Sequence, residues 1–198
     1  MGLGLEYHYG QTPLDEDDKE GLLIKTITTR GELDEFEQLN IENAIEWTVH
    51  NKLKKENILT KEFIKSLHKR MLGYVWSWAG KFRKSEKNIG VEWIKIDVEL
   101  RSLLDDITYW IDHCSYPPDE IAIRFKHRLV RIHCFPNGNG RHSRIMADII
   151  IESVFGKKVF SWNYSNMVKP DETRNRYIDA IKRADNGDLK PLLIFARA

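Results

Sequence analysis

Residues 133–144 read HCFPNGNGRHSR and place two histidines, two arginines, two glycines and two asparagines within twelve positions. Gly138 and Gly140 can take positive φ or let a ligand approach the backbone. Successive N–H groups in such a turn, aimed outward at the start of a helix, form an anion site. Arg141 and Arg144 stand three apart, so both guanidinium groups reach one side of a helical first turn. Two planar forks beside a nest of amides suit a polyphosphate. His133 precedes the turn, and an imidazole titrating near neutrality can remove a proton from an attacking hydroxyl. A base next to a phosphate cradle implies phosphoryl or nucleotidyl transfer. The competing reading of the same spacing is a plain glycine turn between two helices with a structural histidine beside it. A GxxxxGK(S/T) phosphate loop is excluded, because no Lys followed by Ser or Thr closes that pattern. Zinc is disfavoured, because His127, His133 and His142 lack the HExxH spacing.

The elements that must position these residues belong to a chain of 198 residues, the size of one domain with a short extension. Lys and Arg total 31 against 30 Asp and Glu. A net charge of +1 gives no general attraction to nucleic acid or to an acidic membrane, so anion recognition must be local. Cys114 and Cys134 are the only cysteines and form no CxxC pair; they read as free thiols of a reducing, cytoplasmic compartment. The longest apolar run, residues 145–154, is interrupted by Asp148 and Glu152. It falls short of the roughly 20 residues that a spanning helix needs. The opening MGLGLEYHYG lacks the order of a signal peptide, and Glu6 replaces the Ser or Thr of a myristoylation signal.

Residues 1–28 read as an irregular N-terminal arm, rich in glycine, proline and acid, and residues 29–198 as the domain. From Thr29 the spacing predicts an amphipathic helix with Leu33, Phe36, Leu39, Ile41, Ala44, Ile45 and Thr48 as its inner stripe. A second follows Thr60, an N-cap candidate, with Phe63, Leu67, Met71 and Val75 inward. Residues 82–96, FRKSEKNIGVEWIKI, alternate around Val91, Trp93 or Ile94, and Ile96, and predict a short β-hairpin. A helix from Asp97 closes at Pro117 and Pro118. The same prolines open the next helix, whose first turn carries Asp119 and Glu120 where the dipole favours negative charge. Its stripe of Ala122, Phe125, Leu129 and Ile132 puts His133 at its exit. After the glycine turn, SRIMADIIIESVF is apolar on nearly every side, the pattern of a helix buried in the middle of a bundle. Residues 171–184 and the final LKPLLIFARA read as two more helices. Trp76 and Trp78 read as core. Arg124, Lys126, Arg128 and Arg131 read as a solvated basic face, and His142 as an exposed residue without a role.

His133, Phe135, Gly138, Asn139, Gly140, Arg141 and Arg144 together resemble the signature of the Fic (filamentation induced by cAMP) family, H-x-F-x-(D/E)-G-N-G-R-x-x-R. LHKRML, WAGKFR, NIGVEWIKI and YIDAIKRADNGDLKPLLIF follow in the family's usual order, so the likeness spans residues 32–197. Its wording is most similar to the bacterial subgroup called mobile mystery protein B. The resemblance implies an all-α, Fic-type helical bundle with a small β-hairpin flap. It also implies a protein adenylyltransferase (AMPylase) that moves AMP from ATP, with Mg²⁺ or Mn²⁺, to a Ser, Thr or Tyr hydroxyl of a target protein. In that scheme His133 is the general base and Phe135 packs inward to fix the loop. Gly138, Asn139 and Gly140 form the anion hole, Arg141 holds the β-phosphate and Arg144 the γ-phosphate. Asn88, Ile89, Gly90 and Val91 form the flap that clamps the target as an added strand. Gly140 separates the chain from Doc-type relatives, which carry Lys there and transfer phosphate.

Asn137 departs from the family pattern, which has Asp or Glu there to bind the metal. An amide offers an oxygen without charge, so metal affinity should fall. The alternative function is therefore a catalytically weakened Fic domain that works as a nucleotide-dependent binding module. The stretch QLNIEN partly matches the family's inhibitory pattern (S/T)-x-x-x-E-(G/N), with Glu42 and Asn43 in order and Gln38 in the place of Ser or Thr. Glu42, on a regulatory first helix, is then expected to reach Arg144 and restrain ATP binding. The bacterial setting adds an antitoxin-like regulator as a partner. Tyr177 and Asn163 are candidates for the border of the nucleotide base.

Overall fold

A computed structural model describes residues 16–51, 53–162 and 170–198. Among them the chain forms nine α-helices: α1 Glu16–Glu20, α2 Arg30–His50, α3 Lys55–Ile58, α4 Lys61–Leu72, α5 Ile96–Asp112, α6 Pro118–Ile132, α7 Asn139–Ser153, α8 Pro170–Asp185 and α9 Lys190–Arg197. The all-α expectation holds. α7 lies at the centre with α3, α4 and α6 against it, while α2 packs on α4, α5 on α6, and α9 on α6 and α8. Ile145, Met146, Ala147, Ile149, Ile150 and Ile151 of α7 are all buried, which is why its sequence is apolar on nearly every side, with only the narrow stripe of Arg141, Arg144, Asp148 and Glu152 left polar.

Local chemistry sets the helix ends. Thr29 caps α2 in a complete capping box with Glu32, and Thr60 accepts the Phe63 N–H at 3.1 Å to cap α4. Pro118 opens α6 at a position whose N–H would have no partner in any case. Trp76 is buried and Trp78 half-buried, their rings stacked at 5.0 Å, as expected of core aromatics.

Three expectations need correction. The predicted hairpin over residues 82–96 is not a pair of strands. Residues 81–92 run as an irregular excursion, and Trp93–Lys95 form a 3₁₀ turn leading into α5. The backbone groups a ladder would use are engaged elsewhere. The Val91 N–H donates to the Ile132 carbonyl at 3.3 Å, while the Arg83 guanidinium takes the carbonyls of Ser85 and Val91. The stripe of α2 also differs. Leu33, Ile41 and Ala44 are buried with Glu37 and Asn40, whereas Leu39 is 56% exposed and Phe36 and Ile45 face solvent. Finally, the described part of the arm, expected to be irregular, carries α1 and is docked on the domain. Leu22 is buried and bridges Trp76, the Trp78 indole donates to the Asp18 carbonyl at 2.9 Å, and Asp18 pairs with Lys87.

The two leucines separate the real core from the apparent stripe. Leu67→Ala, at a fully buried position of α4, should lower unfolding stability by about 3 kcal/mol. Leu39→Ala should change it by less than about 0.5 kcal/mol, read from urea unfolding midpoints.

Candidate active site

The motif occupies the reversal between α6 and α7. α6 ends because His133 turns left-handed at φ 57°, its N–H still bonded to the Leu129 carbonyl. α7 starts from Gly138, also left-handed at φ 77°. A Cβ on residue 138 would lie 2.7 Å from Leu72 Cδ1 and 3.2 Å from His68 Nε2, so both conformation and space demand glycine. Asn139 closes the loop: its Oδ1 accepts the Phe135 N–H at 3.0 Å and its Nδ2 donates to the Phe135 carbonyl at 2.8 Å. The Asn139 side chain is thereby consumed inside the protein, and only its backbone N–H is left to meet an anion.

Behind the loop stands an aromatic wall. Phe135 is buried and stacks on His68 at 3.7 Å, with the His142 ring edge-on at 5.3 Å. The Gly80 N–H donates to His68 Nδ1, and His68 Nε2–H donates to the Asn137 carbonyl, each at 3.0 Å. This pairing suits a neutral ring, and burial, with His142 and Arg141 nearby, holds the His68 pKa well below its usual value. His142, expected at the surface, is buried and bonds the Ile64 carbonyl at 3.0 Å. Burial takes its pKa down to about 3.

On the open side, Arg141 and Arg144 are half-buried on the first two turns of α7. Helix geometry leaves the N–H groups of Asn139, Gly140 and Arg141 without intrahelical partners. A Cβ added to Gly140 would meet nothing within 4 Å. Packing therefore does not require glycine there. Arg141 Nη1 stands 2.6 Å from Glu37 Oε2, a charge contact outside hydrogen-bond alignment. Glu37, on the buried side of α2, also accepts the Trp76 indole N–H at 2.6 Å. The Arg144 guanidinium lies over the Tyr177 ring at 5.5 Å. Lys126 reaches the same ring at 4.4 Å and donates to the Tyr177 hydroxyl. Asn163 lies outside the described residues.

Of the expected solvated basic face, Arg131 is exposed, Arg124 and Arg128 are half-buried, and Lys126 is interior. Lys126 is 0% exposed, and burial, then Arg144, push its pKa well below the ordinary lysine value while Asp185 pulls the other way. Arg124 pairs with Glu120 and Arg128 with Asp106. Glu42 is exposed and accepts from Gln38 Nε2 at 2.9 Å. The carboxylate that α2 brings to the motif is Glu37, and it meets Arg141, not Arg144. Its i, i+4 spacing from Leu33 and Ile41 was the available signal, since a carboxylate on a buried stripe must find a partner.

His133 is buried, and burial followed by the charges of Arg83 and Lys87 lowers its pKa to about 4, against an opposing hydrogen bond to the Val130 backbone. The ring is thus a free base at neutral pH. Its neighbour Cys134 has a thiol raised by burial to about 12 and is chemically inert. Asn88, Ile89 and Gly90 are exposed and Val91 half-buried. Asn137 turns its Oδ1 onto the Gly138 N–H at 2.6 Å. Among the described residues no group of three His, Cys, Asp or Glu side chains could hold a metal. A single neutral amide at the turn does not fit Mg²⁺ or Mn²⁺, which take carboxylate or phosphate oxygens.

Residues 58–151 match the model of the Fic/DOC family, and the chain contains a Fic/DOC-family domain. Over 163 residues it is 25% identical to "Protein adenylyltransferase Fic" of Aedes aegypti and 28% to that of Drosophila yakuba. Each match covers 80% of this chain and 31% of the relative, so the chain spans about a third of their length. Among solved structures, Fic-1 (residues 134–508) of C. elegans shares the fold at a TM-score of 0.63 with 24% identity, covering 80% of this chain and 46% of that one. BepC of Bartonella tribocorum, a VirB-translocated effector solved with bound AMPPNP, gives a TM-score of 0.67 with 17% identity over 96% of this chain and 93% of its own. Among the described residues no helix is long and apolar enough to cross a membrane.

The buried rings make stability depend on pH. A histidine whose folded pKa lies below the ordinary value contributes stability that is complete above pH 6.5 and is lost as pH falls toward the folded pKa. For His133 at about 4 and His142 at about 3, going from pH 7 to pH 5 should cost about 2 kcal/mol each. Asp148 works in reverse, since burial raises it to about 6, and it should return about 1 kcal/mol over the same interval. A net loss of at least about 3 kcal/mol is expected between urea unfolding at pH 7 and at pH 5, since His68 and His127, also held below the ordinary histidine value, add in the same direction. Equal midpoints would refute the assignment of neutral buried rings.

Proposed function

We propose that this domain is a protein adenylyltransferase, moving AMP from ATP to a Ser, Thr or Tyr hydroxyl of a target protein in a bacterial cytoplasmic setting. The observation that carries the reading is the first turn of α7 at Gly140, where an added Cβ would meet nothing within 4 Å. It is flanked by free α7 N–H groups, by Arg141 and Arg144, and by a neutral His133 at the end of α6. The relatives named for adenylyl transfer, and the AMPPNP-bound neighbour, support a nucleotide at that turn.

In this reaction His133 accepts the proton of the target hydroxyl as its oxygen bonds the α-phosphorus, and the bond to the β-phosphate oxygen breaks to release pyrophosphate. A pKa of about 4 keeps the base unprotonated, and the negative charge of bound phosphates raises its basicity where it acts. The N–H groups of Asn139, Gly140 and Arg141 and the two guanidinium groups stabilise charge on the leaving phosphates. Exposed backbone at Asn88, Ile89 and Gly90, with Val91 behind, offers an edge to an extended target segment. Tyr177 supports Arg144 from below. An antitoxin-like protein would act as a regulator.

One observation favours a second reading, a nucleotide-dependent binding module. Asn137 places its amide oxygen on the Gly138 N–H, occupying a donor of the anion hole while supplying no charge for a metal.

Intact-mass analysis of the purified protein with ATP and Mg²⁺ or Mn²⁺ separates the two readings. A gain of one AMP, reduced at least about 100-fold in rate by His133→Ala, is the expected result. ATP binding without transfer, restored by Asn137→Asp, would establish the binding module in its place; label transferred from the γ-phosphate would make the protein a kinase.

A further inference from the structure

Arg83 is a buried arginine that none of the steps above employs. Its Nε donates to the His133 carbonyl at 2.7 Å, its Nη1 to the Ser85 carbonyl at 2.9 Å, and its Nη2 to the Val91 carbonyl. Its own N–H donates to the Cys134 carbonyl at 3.0 Å. One side chain and one peptide therefore bridge the flap to two consecutive residues of the motif. The Val91 N–H closes the same ring of bonds on Ile132. Gly90, at φ 105°, comes so close that a Cβ there would lie 2.7 Å from His133 Cβ and 2.9 Å from Arg83 Nη2.

We propose that Arg83 is a positioning residue that fuses the flap and the His133 backbone into one rigid unit, so that a target segment laid on residues 88–91 is held in register with the imidazole. The inference rests on the reading of His133 as the base and of the flap as the target's edge.

The chemistry requires arginine. Three carbonyls converge from three directions, and only a planar fork with five N–H donors can serve them without moving. A lysine ammonium has one centre and cannot span them. The His133 carbonyl matters because that residue is left-handed, a conformation that costs a non-glycine residue energy and persists only where its surroundings enforce it. Arg83 also sets the charge at the ring. The groups facing His133 from this side are Arg83 and Lys87, with Glu86 Oε2 3.7 Å from Arg83 Nη1 and the neutral Cys134 thiol next in the chain. Both cations favour the unprotonated imidazole.

The test uses the whole chain without nucleotide, comparing wild type with Arg83→Met and Arg83→Lys. Two readouts are followed: hydrogen exchange of the flap amides, Val91 above all, and the pH titration of the His133 Cε1 proton by NMR, assigned with His133→Gln. In folded Arg83→Met, flap exchange should quicken about 10-fold or more relative to the slowest amides of α7. The His133 midpoint should rise toward its ordinary value as the Arg83 charge is removed, with burial still holding it down. If either readout stays at the wild-type value, Arg83 is a packing residue and the proposal falls. Should Arg83→Met fail to fold, Arg83→Lys decides. It keeps the charge and loses the fork, so the flap should still exchange about 10-fold faster while His133 moves by less than about half a unit. Wild-type exchange in Arg83→Lys would overturn the proposal. Neither readout needs ATP or a target, so failure of AMP transfer in wild type would refute the enzymatic reading separately.

Discussion

The site depends on one geometric constraint: α6 must reverse into α7 across a short loop while presenting the His133 imidazole on one side and a row of amides on the other. Two left-handed residues make the reversal, and only one of them is glycine. Gly138 enters that conformation freely, whereas His133 must be held there. The holding comes from both sides of the loop. Asn139 bonds the Phe135 backbone twice, and Arg83 bonds the His133 carbonyl. Behind them Phe135 is clamped between His68 and His142, which fix α4 and the Gly80 turn against the loop. The hydrophobic core reaches the chemistry through this wall, since the same α4 that buries Leu67 and Met71 carries His68.

The electrostatics follow from the same burial. Three histidines and a lysine are drawn below their ordinary pKa values because the interior disfavours their charged forms. The permanent charge beside the loop accordingly rests on arginines, which do not deprotonate. Arg141 is half-exposed opposite Glu37, and Arg144 is half-exposed over Tyr177. The price is acid sensitivity, because the neutral rings that shape the loop are also the groups that the unfolded chain protonates first.

Much of this was legible in the sequence, and the parts that were not share a cause. The twelve-residue motif, the two-sided burial of α7, the proline entry to α6 and the exit at His133 all rest on local signals, and each stands where spacing placed it. The failures came where a side chain from one element supplies what backbone in another needs. Residues 82–96 alternate like a strand, but Arg83, Ile132 and the motif backbone take their hydrogen bonds, and no ladder forms. Phe36, Leu39 and Ile45 are apolar and exposed, while Glu37 is acidic and buried, because α2 turns its carboxylate toward Trp76 and Arg141. Residue type alone puts Lys126 and His142 at the surface. Each is internal because a specific acceptor, the Tyr177 hydroxyl or the Ile64 carbonyl, waits for it. Residue type reports the average environment; partners three helices away decide the actual one.

Asn137 sits where those two kinds of information meet. A carboxylate at this position, a few ångströms from the α7 amides, would compete with phosphate unless a cation stood between them. The amide removes that repulsion and with it the attraction for a divalent ion, and its oxygen settles on the Gly138 N–H. In the proposed reaction, neutralising a triphosphate then falls more heavily on Arg141 and Arg144. Arg141 can join only by sharing itself with Glu37, a carboxylate buried to 4% exposure that has the Trp76 indole as its other partner. Leaving such a group alone costs far more than a surface ion pair gains. The charge at residue 137 and the position of α2 are therefore not independent features of this site: the less charge a metal brings, the more the phosphates draw on an arginine that already holds two helices together.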